Sequence, residues 1–219
     1  MKSTNNTAQD AIALVEIGGS HDECLYSQLF ALKSVNKKVI LICTAELKER
    51  NPHFDAYVED YVIVAFTKSK LKNIGVVRQI LRYMKTYSVS KAVLNTAQGG
   101  DVRNLCLHAL FIKIEFIGII HTTRKFQGSF TQKIINWKIK KYFLLSKYLL
   151  SKVTAPKGIQ LEYFYPIRFW NQSEKSKKKA QLNITIIGGV ENRRKDLDGF
   201  LAMIRGINQN VRFTFLGKS

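Results

Sequence analysis

The sequence predicts an α/β chain built on a doubly wound parallel sheet. The first ground is a set of short apolar, β-branched runs, "AIALVEI" (11–17), "KVILICT" (38–44), "YVIVAF" (61–66), "KAVLNTA" (91–97) and "FIGIIHT" (116–122). They run continuously apolar more than they alternate, as strands do when helices cover both faces of a sheet. The second ground is the helical pattern between them, at about 22–35, 69–87, 100–112 and 128–150. The third is the regular β/α alternation, which places ligands at the carboxyl ends of the strands.

A sixth short strand is expected at 152–156, "KVTAP". "YFYPIRFW" then leads into "NQSEKSKKKAQ" (171–181), which is polar, charged and without periodicity, and reads as a linker. Alternation restarts with a strand at 183–188, a helix at about 195–207 and a strand at 211–216. The expected organisation is a first domain over 1–170, a linker over 171–181 and the first β-α-β of a second domain over 182–219. Two strands and one helix cannot enclose a core alone. This piece therefore either packs on the first domain or opens a longer one.

Composition bounds the function. A hydrophobic fraction of 46% with only 3 Pro is that of a globular chain. The richest apolar stretch, "LHALFIKIEFIGII", is broken by Lys113 and Glu115, so a membrane-spanning helix is not expected. The start, "MKSTNNTAQD", has no apolar core of a secretory signal. Cys24, Cys43 and Cys106 sit in apolar runs without metal-ligand spacing and read as reduced core residues of a cytoplasmic protein.

The net charge of +19 is concentrated. Residues 121–181 carry 14 Lys/Arg against 2 Asp/Glu, a net of +12. Such a field needs an anionic partner: nucleic acid, an acidic membrane face or a phosphorylated ligand. In the expected helix 128–150, Ile135, Ile139, Tyr142, Phe143, Leu149 and Leu150 form one apolar stripe. The opposite half mixes Trp137, Leu144 and Tyr148 with Lys138 and Lys141. Aromatic rings among long cations suit contact with an anionic lipid surface; the alternative is burial of both halves between domains. The same residues are compatible with stacking on single-stranded nucleic acid, but no nucleic-acid motif accompanies them.

Three further groups point to chemistry. After the first strand, "GGSHDECL" offers Gly18 and Gly19 for a tight turn, and Ser20 with Glu23 as a capping box. Free backbone N–H groups there would receive an anion or a sugar hydroxyl; the alternative is an ordinary strand-to-helix turn. The dinucleotide fingerprint is incomplete, because its third glycine is missing. His121 ends a strand where substrates dock in open sheets, suited to orient or deprotonate a hydroxyl. His21 is a second candidate, while His53 and His108 read as structural or exposed. Last, Gly188 and Gly189 precede Arg193, Arg194 and Lys195 at an expected helix start, a group suited to a diphosphate.

Two motifs are decoys. Asp196 and Asp198 fall within an expected helix, where their carboxylates diverge. "LGKS" lacks the first glycine of a phosphate loop, since Arg212 stands in its place.

Together these pieces resemble a retaining glycosyltransferase of the GT-B fold, with two facing Rossmann-like domains. "EIGGSHDECLYSQLFALKSVNKKVILICT" is similar to the amino-terminal glycine turn, helix and second strand of that class. "IGIIHTTRKF" resembles its strand-end histidine, "TAPKGIQLEYFYPIRF" its interdomain crossing, and "IIGGVENRRKDLDGFL" the opening of its donor domain. The resemblance implies a nucleotide-sugar donor, a hydroxyl acceptor and no catalytic metal or cofactor. On it, Arg194 and Lys195 would meet the donor diphosphate, Gly18 and Gly19 would line the cleft, and His121 would lie near the reacting sugar. In that class the donor domain runs on to a pair of glutamates eight positions apart. This chain stops before them, so a truncated donor domain is expected. The acceptor would be lipid-linked or a growing surface polysaccharide, and the location cytoplasmic, peripheral on the inner membrane face.

Overall fold

The computed structural model describes residues 11–18, 21–67, 70–166, 182–187, 199, 202 and 211–216. The chain divides into two compact units, Met1–Phe169 and Trp170–Ser219.

The first unit holds seven parallel strands: β1 (Ala11–Glu16), β2 (Lys38–Cys43), β3 (Asp60–Ile63), β4 (Val89–Leu94), β5 (Glu115–Ile120), β6 (Lys141–Leu144) and β7 (Gln160–Tyr163). Their spatial order is β3-β2-β1-β4-β5-β6-β7. The chain grows outward from β1 to β3, crosses back, and grows the other way from β4. That reversal creates a crevice between the carboxyl ends of β1 and β4.

The helices follow from the same reversal, because right-handed crossovers running in opposite directions lie on opposite faces. Helix α1 (Asp22–Ser34), helix α2 (Ala45–Arg50) and a 3-10 turn (Pro52–Ala56) pack Leu25, Leu29, Leu47 and Phe54 onto Leu14, Val39 and Leu41. Helices α3 (Lys70–Thr86), α4 (Gly100–His108) and α6 (Phe130–Lys138) close the other face with Val77, Ile80, Met84, Leu105 and Ile135. Short helices α5 (Thr123–Phe126) and α7 (Lys147–Ser151) complete the unit. Strand period decides the division: Ala11, Ala13 and Val15 face α3, while Leu14 faces α1.

Gly118 of β5 is a packing requirement. A Cβ there would stand 2.5 Å from the Tyr142 ring and 2.6 Å from Ala97. Beside β5, the half-buried Val93, Ile117 and Phe143 and the buried Ile119 line an apolar cleft of about 300 Å³ with Leu14, Gln28 and Phe164.

The five expected strands and the first three helices are present with shifted ends. The expected helix 128–150 is not one helix. It is α6, then β6, then α7. Ile139 adopts extended dihedrals (φ −93°, ψ 123°) and ends α6. Beyond it burial alternates, with Tyr142 and Leu144 inward and Lys141 and Phe143 half-buried. The apolar spacing fits both periods over so few residues, and pairing with β5 and β7 selects the strand. The expected strand at 152–156 is likewise absent; the edge strand is β7.

In the second unit, β8 (Leu182–Ile187) pairs in parallel with β9 (Val211–Leu216), from Leu182↔Val211 to Ile187↔Leu216. Gly199 and Ala202 between them are helical.

Candidate functional site

The crevice at the reversal is built on a carboxylate. Glu16 ends the otherwise apolar β1 and is fully buried. It accepts hydrogen bonds from the Gly18 N–H at 2.6 Å, Asn95 Nδ2 at 2.7 Å and Thr96 Oγ1 at 2.7 Å. Three donors replace the water that burial removes, the condition under which an acidic side chain is tolerated in a core.

Asn95, fully buried just past β4, is the hub. Its Nδ2 also donates to the His21 carbonyl at 3.2 Å, and its Oδ1 accepts from Gln28 Nε2 of α1 at 2.7 Å. With two acceptors facing the nitrogen and a donor facing the oxygen, the amide has one orientation. The Asn95 N–H donates to the Val15 carbonyl, so the hub is also pinned to β1 through its backbone.

His121 follows β5. Its Nε2 lies 2.6 Å from the Asn95 carbonyl oxygen. A carbonyl only accepts, so Nε2 carries a proton; Nδ1 is buried. The ring stacks on His21 with centroids 3.7 Å apart and planes 18° from parallel. His21 precedes α1 with φ 70° and ψ 40°, left-handed dihedrals that cost a non-glycine residue roughly 1 kcal/mol. Glu16, Asn95, His21 and His121 thus join the ends of β1, β4 and β5 to the start of α1.

These contacts bear on the turn after β1. The residue preceding α1 is His21, and it makes no side-chain cap; the expected capping box begins at Ser20, outside the described residues. The Gly18 N–H is donated to Glu16 and is not free for an anion. Gly19, Ser20, Gly188, Gly189, Arg194 and Lys195 lie outside the described residues.

The expected membrane contacts separate. Trp137 on α6 and Tyr148 on α7 are exposed, with Lys152 Nζ 5.3 Å above the Tyr148 ring. Lys138 is half-buried, donates to the Ile112 carbonyl at 2.6 Å, and has its pKa lowered by burial. Lys141 sits on β6 and pairs with Glu162 at 2.9 Å. Leu144 is fully buried and is removed from any surface role. Glu16 and Asn95 escaped sequence reasoning. The signal available for Glu16 was one acidic residue closing a run of core-type residues; nothing local marked Asn95.

No protein-family model matches the chain, and no curated protein sequence matches it. Solved structures do. MurG of Acinetobacter baumannii is 16% identical with a TM-score of 0.55, covering 94% of this chain and 66% of its own. A glycotransferase of kitacinnamycin is 10% identical at a TM-score of 0.61, with 94% and 65% covered. S. aureus MnaA, in a UDP co-structure, is 10% identical at a TM-score of 0.60, with 96% and 63% covered. At such identities the likeness shows the fold, a Rossmann-like parallel sheet of the GT-B type. This chain spans just under two thirds of the length of these three structures.

Proposed function

We propose that the chain is the acceptor-side domain, with the opening of the donor domain, of a glycosyltransferase. Such an enzyme moves a sugar from a nucleotide-sugar donor to a hydroxyl. The observation that carries the reading is the Glu16–Asn95–His121 network at the crevice of a GT-B-type sheet. It places an oriented imidazole beside the turn after β1.

With Nε2 on Asn95 and Nδ1 buried, His121 orients the acceptor face of the cleft in this conformation. Taking a proton from a bound hydroxyl would require the ring to leave the His21 stack. Arg194 and Lys195 are assigned to the diphosphate, whose charge grows as the glycosidic bond breaks; cations there replace a metal. The acceptor is lipid-linked or a growing surface polysaccharide, and the protein works at the inner face of a membrane.

Thermal unfolding of a version that carries the whole donor domain, with millimolar nucleoside diphosphates and a panel of nucleotide sugars, tests this reading. One nucleotide is expected to raise the midpoint by several degrees, and Arg194→Ala with Lys195→Ala to abolish the shift. No shift with any nucleotide overturns the reading. A second reading has specific support, since UDP-N-acetylglucosamine 2-epimerases share this fold at TM-scores of 0.57. Epimerisation of the donor without an acceptor would select it; acceptor-dependent release of nucleoside diphosphate selects transfer.

A further inference from the structure

Residues 116–161 contain nine Lys/Arg and neither Asp nor Glu. The structure shows where part of this charge is displayed. On α6, Gln132, Ile134 and Ile135 are buried, while Phe130, Lys133 and Trp137 are exposed. These three follow the spacing i, i+3, i+7 and share one side of the helix. Phe130 is 73% exposed and Trp137 60%. Lys140, also exposed, follows just past the helix end.

Helix α4 packs against α6. The turn after α4 is fastened to the end of α6 by the Lys138 hydrogen bond to the Ile112 carbonyl. The residues on either side of Ile112 are Phe111, which is 98% exposed, and Lys113, also exposed. Phe130, Lys133 and Trp137 thus share an exposed side of α6, and the turn fastened to the end of that helix exposes Phe111 and Lys113.

Large rings left in water are unfavourable, and a group of them set among cations marks an interaction surface. A second copy of the chain would oppose lysine with lysine. Single-stranded nucleic acid needs a groove with stacking platforms, whereas these rings stand on a helix side and a turn. An anionic bilayer satisfies both components. Rings settle at the headgroup boundary and lysine stems lie along them with their charges at the phosphates.

We propose that α6 and the turn after α4 form a docking face for an anionic lipid bilayer. Phe111, Phe130 and Trp137 enter the interface, and Lys113, Lys133 and Lys140 meet the headgroups. The amino end of α6 lies only nine residues after His121, so docking would set the crevice close to lipid. The proposal stands independently of sugar transfer. No helix among the described residues is long and apolar enough to span a membrane, so this contact is peripheral.

The full chain should co-sediment with vesicles of phosphatidylcholine mixed with phosphatidylglycerol, and not with phosphatidylcholine alone. Lys133→Gln with Lys140→Gln should weaken binding roughly 30-fold, and Phe130→Ser with Trp137→Ser about tenfold or more. Brominated acyl chains should quench wild-type tryptophan emission more than that of the conservative Trp137→Phe variant. Thermal unfolding verifies that each variant is folded, and the quenching comparison needs no disruptive substitution. Equal binding to neutral vesicles, no vesicle binding, or undiminished binding by folded variants overturns the proposal. RNA retention in place of vesicle binding also overturns it. Because nucleotide binding is measured in solution without lipid, failure of this proposal and failure of the catalytic reading are distinguishable.

Discussion

Glu16 concentrates more of the candidate site than any residue chosen from the sequence. Removing its side chain leaves the Gly18 N–H, Asn95 Nδ2 and Thr96 hydroxyl without their acceptor. Buried donors left unpaired cost about 1–3 kcal/mol each, less where water enters. Glu16→Ala should therefore lower unfolding stability by about 3 kcal/mol in urea titrations. Glu16→Gln should cost less, but it turns an NH₂ toward one of the three donors. Because Asn95 carries the carbonyl that orients His121, the glutamine variant should also move the His121 ring ¹⁵N signals. In the wild type those signals should report a protonated Nε2. An unchanged His121 spectrum in Glu16→Gln would confine Glu16 to a local role in the turn.

At the scale of elements, the decisive segment is 128–150. As one helix it would expose Leu144 beside Trp137; as helix, strand and helix it buries Leu144 between neighbouring strands and leaves Trp137 in water. The two arrangements predict different mutational costs. Leu144→Ala should destabilise by about 2–5 kcal/mol, as truncation of a buried leucine does. Trp137→Ala, on an exposed face, should cost well under 1 kcal/mol. Similar urea midpoints for both variants would contradict the strand. Tyr142 reinforces the assignment: its hydroxyl donates to Asn136 Oδ1 at 2.6 Å and its ring fills the space left by Gly118. Burial pushes its pKa well above the ordinary tyrosine value.

For the whole molecule, the sheet and its two helical layers bury all three cysteines. Burial pushes the Cys106 thiol from an ordinary 9.0 to about 12, against a small opposing pull from Lys138. The Cys43 thiol rises to about 11, again through burial, with Lys48 lowering and Glu16 raising it. A raised folded pKa means that the unfolded chain loses its proton first. This contribution to stability is fully present below about pH 9 and is lost as pH rises toward about 11 and about 12. The urea midpoint should fall from neutral pH to about pH 10.5, and fall less in Cys106→Ala. Thiol reagents at neutral pH should react only on unfolding.

Much of the fold was legible because its signals are local. Runs such as 11–17 and 38–44 are too apolar for any place but a sheet covered on both sides, and their alternation with helices restricts topology to a few right-handed arrangements. The position of His121 was legible for a related reason, since a polar residue ending such a run lies past the end of a strand. Tertiary structure alone decided the rest. Residues 139–144 suit either period until β5 and β7 supply partners for their backbone groups. Asn95 resembles any loop asparagine until β1, α1 and β5 bring Glu16, Gln28 and His121 around it from 79, 67 and 26 positions away. A hydrogen-bond network across that separation exists only after the chain has closed. The sequence determined which residues had to be buried; the folded chain decided which polar groups met there.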